Sequence, residues 1–163
     1  MAEKFTDSLK LFKWAQPLSS VNETSATNEI GARFTSVDDS YGVKVYVYVL
    51  AGSNIAANEV VVYTDAYSTT VSTTHTNNLN RPAGVGIGTI TSGNYGFIQA
   101  RGYYATVTTN GDDDIADDVT LICSGSGACD SVAAGTASTY QPLGITVAAD
   151  VDASNIVAAY LLC

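Results

Sequence analysis

Four valines alternate with polar or ring-bearing residues in the run Val43-Lys44-Val45-Tyr46-Val47-Tyr48-Val49. Side chains of an extended strand point to opposite faces with a period of two, whereas a helix repeats near 3.6. Strict alternation of β-branched and aromatic residues therefore specifies a strand. The period predicts that Val43, Val45, Val47 and Val49 face a core and that Lys44, Tyr46 and Tyr48 face outward.

The residues that follow keep this β character. Residues 51–58 carry Gly52, Asn54 and Asn58, and the apolar run Val60-Val61-Val62-Tyr63 then resumes, which reads as a hairpin with a long connection. Residues 69–76 are Thr-rich and strand-like, and residues 77–82 break them. In Gly84-Val85-Gly86-Ile87-Gly88-Thr89-Ile90 the spacing puts Val85, Ile87 and Thr89 on one strand face. Ser92-Gly93-Asn94 is a turn that tolerates positive φ. Residues 97–107 read as a long strand with a bulge or close approach at Gly102. An acidic turn (110–118), a short strand (119–123) and a small-residue loop (124–138) come next. Residues 143–151 and 156–162 close the chain. The last run could be a helix capped by Asp152 or Ser154, but Ile156 and Val157 favour a strand. These are about eight strands at sandwich or barrel spacing. The expected fold is all-β: a single β-barrel, β-tulip or sandwich-like domain over residues 41–163.

Residues 1–40 show no sustained alternation. Phe5, Leu9 and Phe12 are spaced for one face of about two helical turns, with Asp7 or Ser8 as N-cap, and Trp14 and Pro17 follow. Residues 18–29 are Ser/Thr/Asn-rich and read as loop. A helix this short is marginal alone in water, so the segment is expected to be an extended N-terminal docking arm, ordered where it lies on something else. Lys4, Lys10 and Lys13 make the first thirteen residues weakly basic, opposite in sign to the rest of the chain. Such a tail either docks electrostatically or is simply a solvated terminus.

Charge and composition exclude several functions. Net charge is −9, from 16 acidic and 7 basic residues, which argues against a nucleic-acid backbone as partner. No apolar stretch reaches membrane-spanning length, and no secretory leader follows Met1, so synthesis in a cytoplasm is expected. Charged residues make up 14% of the chain against a usual quarter, leaving a neutral polar surface of the kind extracellular and virion proteins carry. Ten tyrosines against four phenylalanines and one tryptophan supply large contact area with a polar tip, which suits an intersubunit surface or ordinary sheet decoration. The candidate interface residues are Phe5, Leu9, Phe12 and Trp14 in the arm and Tyr46 and Tyr48 in the body, with Tyr103 or Tyr104 also facing outward.

No catalytic constellation emerges. His75 is the single histidine, in the polar context Thr74-His75-Thr76-Asn77, and no base stands beside a nucleophile. Gly84, Gly86 and Gly88 alternate within a strand instead of opening a helix, so they speak for tight packing and not for phosphate binding. Asp112, Asp113, Asp114, Asp117 and Asp118 are either a solvated turn or a weak calcium site, since the EF-hand spacing is missing. Cys123, Cys129 and Cys163 do not match a zinc motif. Cys123 and Cys129 either close a short loop or remain two thiols beside a hairpin, and Cys163 reads as a buried small hydrophobe. Asn22-Glu23-Thr24 matches a glycosylation sequon by coincidence. The expectation is a protein with no enzymatic activity, no cofactor and no metal.

The run Ser92-Gly93-Asn94-Tyr95-Gly96-Phe97-Ile98-Gln99, followed by Gly102, resembles the small decoration (cement) proteins of tailed bacteriophages. The Asp-rich turn, the small-residue loop, Leu143-Gly144-Ile145-Thr146-Val147 and the aliphatic end come in the family's order, and the match spans roughly residues 41–163. The N-terminal arm is longer than in compact members. The resemblance implies a β-barrel or β-tulip body that forms a homotrimer over threefold positions on the capsid outer surface. Its partners would be the major capsid protein and its own copies, and it would stabilise the lattice against internal pressure. A receptor- or carbohydrate-binding virion module, such as a head fibre or tail appendage, is the alternative.

Overall fold

The computed structural model describes residues 22–64, 70–73, 81–111, 115–132, 141–148 and 155–163. Among them there is no helix; ten strands run β1 (Arg33–Asp38), β2 (Gly42–Ala51), β3 (Val60–Tyr63), β4 (Thr70–Ser72), β5 (Pro82–Gly86), β6 (Tyr95–Thr108), β7 (Thr120–Gly125), β8 (Ala128–Ser131), β9 (Gly144–Thr146) and β10 (Ile156–Leu162). The all-β expectation holds, and the C-terminal run is a strand. Phe5, Leu9, Phe12, Trp14, His75 and Asp112–Asp114 lie outside the described residues.

One continuous sheet folds back on itself twice. The pairings β2–β4–β3–β5–β6 return to their start through β2–β6 and so close a ring. From β6 the sheet runs on through β10, β9, β7 and β8, and the bridge between Thr109 and Cys129 brings β8 back beside the end of β6. β6 is long enough, at 14 residues, to serve both rings.

Each ring encloses its own core. Val47, Val49, Ile55, Val61, Val71, Ile90 and Ile98 fill the first. Val107, Ile115, Leu121, Leu143, Val157 and Leu161 fill the second, joined by Val60, Val62 and Val85. β3 thus buries both faces: Val61 points into one core while Val60 and Val62 point into the other. A strand covered on both sides reads as an unbroken apolar run, which is how Val60-Val61-Val62 reads.

β2 departs from simple alternation. Val47 is 2% exposed and Val49 is buried, as expected, but Val43 is 55% exposed and Val45 only half-buried. The strand begins beside β1, beyond the first core, and enters that core only at Val47. Tyr48 corrects the outward reading: it is 0% exposed. Its face is covered by the chain's own residues 22–32 and by Tyr95 and Phe97, whose rings lie 6.1 and 5.0 Å from the Tyr48 ring. Tyr46, on the same face, is half-buried.

The segment before residue 40 contributes more than a loop. Glu23 bridges Tyr95, the Asn22 side chain bonds Thr91 and Asn94, and β1 pairs with β2 from Arg33↔Val47 to Asp38↔Gly42. The strand is illegible in sequence because its pattern opposes its burial: Val37 is 74% exposed while Ser36 and Asp38 are partly covered. Asn22, the sequon residue, is engaged in these contacts.

Other boundaries shift for similar reasons. β2 and β3 are not a hairpin, because β4 lies between them, parallel to β2 and antiparallel to β3. β5 begins at Pro82 and stops at Gly86, so Ile87 and Thr89 lie beyond it. β4 and β9 are three residues each, shorter than read. Within the small-residue loop, Gly125, Ser126 and Gly127 turn the chain into β8. β1 and β8 raise the expected eight strands to ten.

The turn–strand motif ending at Gln99 has a physical basis. Gln99 is buried, and its Nε2 donates to the carbonyls of Arg101, Gly102 and Tyr103 at 3.2, 3.3 and 2.9 Å. These carbonyls belong to a bulge opposite Val45–Tyr46, where Gly102 has φ +91° and a Cβ would collide with the Val43 carbonyl. Gly84 answers the packing expectation for the glycine run, because a Cβ there would strike the Gln99 backbone.

Candidate interaction surface

β10 alternates cleanly between the second core and the surface. Val157, Ala159 and Leu161 are buried while Ile156, Tyr160 and Leu162 are exposed. Its neighbours extend the exposed row: Tyr160 stands opposite Ile145 of β9 on one side and Tyr103 of β6 on the other. Tyr103 meets the Tyr160 ring at 5.8 Å, edge-on, and stacks on Tyr41 at 3.9 Å with the planes 10° apart. Stacked and edge-to-face rings hold each other in place, so the row is presented with little rotamer freedom to lose on contact.

One end of this row is fixed by charge. Lys44 lies 5.7 Å from the Tyr41 ring centre and pairs with Asp38 at 2.9 Å. Asp38 also accepts from the Ser40 and Tyr41 amides, which sets the β1–β2 turn carrying Tyr41. The Lys44 hydrogen bond, then these two amides, hold the Asp38 carboxyl below its usual range. Burial, followed by the neighbouring Tyr41, pushes the Tyr103 phenol up. Beyond the turn, Val37 and Val43 face each other across β1 and β2, both exposed.

Exposed apolar side chains therefore recur on β1, β2, β10 and β9, with Tyr103 of β6 between them, and each of these strands is bonded to the next in the order β1–β2–β6–β10–β9. Contiguous exposed apolar surface of this kind marks contact sites more often than chance. Tyr46 and Tyr48 are not its centre. Tyr48 is buried, and Tyr104 turns inward to bond Asn58 and the Gly86 carbonyl, at 3.1 and 2.8 Å. Tyr103, half-buried, lies within the row between Tyr41 and Tyr160. Tyr41, Ile145, Tyr160 and Leu162 were missed; the alternation of Ile156-Val157-Ala158-Ala159-Tyr160-Leu161-Leu162 was the available signal.

Among the described residues, no group of three or more His, Cys, Asp or Glu side chains is arranged to hold a metal ion. No helix among them is long and apolar enough to cross a membrane.

No protein-family model matches the chain, and no curated protein matches it. Among solved structures, it is similar to the N base of the head fiber gp8.5 of bacteriophage phi29. The TM-score is 0.50 with 16% identity, over 73% of this chain and 94% of that one. At that identity the likeness is one of fold.

Proposed function

We propose that the chain is a non-enzymatic structural virion protein of a tailed bacteriophage, seated as a homotrimer on the outer surface of the capsid. The observation that carries this reading is the ordered row Ile145–Tyr160–Tyr103–Tyr41, in which Ile145, Tyr160 and Tyr41 are exposed and Tyr103 is half-buried between them. The fold likeness to the base of a phage head fiber supports a capsid-bound position. The resemblance of residues 92–99 to decoration proteins supports the same surface. Fold alone does not assign function, so the surface has to carry the argument.

In the decoration reading, each trimer covers joints between major capsid subunits at threefold positions, and internal pressure must break its contacts before the lattice opens. Modest contacts multiplied by symmetry give high avidity. The fold likeness favours a second reading, in which this chain is the base on which a fibre stands.

Electron microscopy of the protein mixed with expanded, empty capsids tests the proposal. Occupancy of threefold positions across the lattice, with slower rupture on heating, is the outcome expected for decoration. Sparse attachment without a gain in rupture temperature would replace it with the fibre-base reading. Absence of binding, with only monomer in sedimentation, overturns both.

A further inference from the structure

The β7–β8 hairpin sets two of the three cysteines directly opposite each other, in the register Leu121↔Ser131, Ile122↔Asp130, Cys123↔Cys129. Backbone bonding defines the kind of site. The Val132 amide donates to the Thr120 carbonyl at 2.9 Å, flanking the Leu121–Ser131 pair. In an antiparallel ladder such a flanking bond means that the enclosed pair exchanges no bonds of its own, and the phase repeats every two residues. Cys123–Cys129 is then a pair of the same, closer kind, with Cα atoms about 4.5 Å apart. The Cys129 carbonyl accepts instead from the Asn110 amide at 3.0 Å. A separation near 4.5 Å lies within the roughly 4.4–6.8 Å range of disulfides. Both side chains enter the second core, beside Leu121 and Val107, so they point to the same side of the hairpin.

We infer that Cys123 and Cys129 are a disulfide-forming site, oxidised across the hairpin by exchange with a low-molecular-weight disulfide. One thiolate attacks a sulfur of the small disulfide, forms a mixed disulfide and expels one small thiol. The second thiolate attacks the protein sulfur of that mixed disulfide, the Cys123–Cys129 bond forms, and the second small thiol leaves. Two protons leave the protein and the small disulfide takes up its two electrons, so the step balances. Both side chains are buried, and burial pushes the Cys123 thiol well above its ordinary range. The reaction therefore waits on opening of the hairpin and is slow. β8 is the strand placed to open, being four residues long and last in the sheet order. Once formed, the bond ties it to β7. This inference does not depend on the proposed function.

The test uses folded wild-type protein incubated with oxidised glutathione at mildly alkaline pH, then unfolded and alkylated. The expected product has lost two hydrogens, and only Cys163 is alkylated. Cys163→Ala is expected to form the same product at the same rate, and mild denaturant is expected to speed both. Three alkylated cysteines in wild-type protein after exhaustive incubation would overturn the site, as would a bridge that includes Cys163. Because this readout needs only wild type and the Cys163 variant, a Cys129→Ala protein that fails to fold does not blunt it.

Discussion

The Tyr48 hydroxyl donates to the Glu23 carboxylate and accepts from the Thr27 amide, so a ring in the middle of β2 holds the chain's residues 23–27 against the body. Removing the hydroxyl while keeping the ring isolates this tie. Tyr48→Phe is expected to lower stability by about 1.5–3 kcal/mol, the range for a hydrogen bond to a charged group. Chemical denaturation measures it. An unchanged midpoint would mean that residues 23–27 are not held through Tyr48.

Alkaline pH tests the same tie by another route. Burial, then the bond to Glu23, holds the Tyr48 phenol above its ordinary value of 10.0. A group whose pKa is raised by folding adds stability that is fully present below its unfolded pKa and is lost as pH rises through the folded pKa. The melting temperature is therefore expected to hold up to about pH 10 and to fall above it. Tyr48→Phe should show a shallower fall, read by melting scans across that window.

The two ends of β2 call for opposite outcomes from one substitution. Val47→Asp places a carboxylate in the first core and is expected to abolish soluble, cooperatively melting protein. Val43→Asp lies at an exposed position and is expected to change stability by no more than about 0.5 kcal/mol. Equal damage from both would contradict the point at which the strand enters the core.

Gln99 and Gly102 form one structural unit. Gly102→Ala forces a side chain into positive φ and against the Val43 carbonyl, and is expected to cost about 2 kcal/mol or more. Gln99→Leu leaves the bulge carbonyls without their donor, at about 1–3 kcal/mol. A double-mutant cycle is expected to give a total well short of the sum. Additive losses would show that the two residues act separately.

The exposed row is expected to matter for contact and not for folding. Tyr160→Ser should leave the melting temperature of the free protein nearly unchanged, because Tyr160 is exposed. Capsid occupancy or self-association should fall at least about tenfold, the equivalent of 1.4 kcal/mol in a contact that includes a buried ring. Unchanged occupancy in quantitative gel analysis of sedimented particles would remove this row from the interface.

Local rules carried the sequence a long way. Alternation identified the strand around Val47, β-branched Ile156 and Val157 identified the last strand, the apolar Val60-Val61-Val62 run marked another, and Gly102 in a long strand announced a bulge or close approach. These features follow from side-chain period and from where a Cβ fits, both of which are local. The tertiary structure decided what depends on a distant neighbour. Tyr48 is inward because residues 22–32 fold over it, whereas the same alternation two positions earlier leaves Tyr46 half-exposed. β1 is a strand because β2 offers it an edge, although its own apolar pattern opposes its burial. β4 intervenes between β2 and β3 because closing the first ring requires it, and no short-range signal encodes that order. The ring-bearing surface row formed in the same way: Tyr41, Tyr103, Tyr160 and Ile145 come from four separate stretches of chain, and cross-strand pairing makes them neighbours.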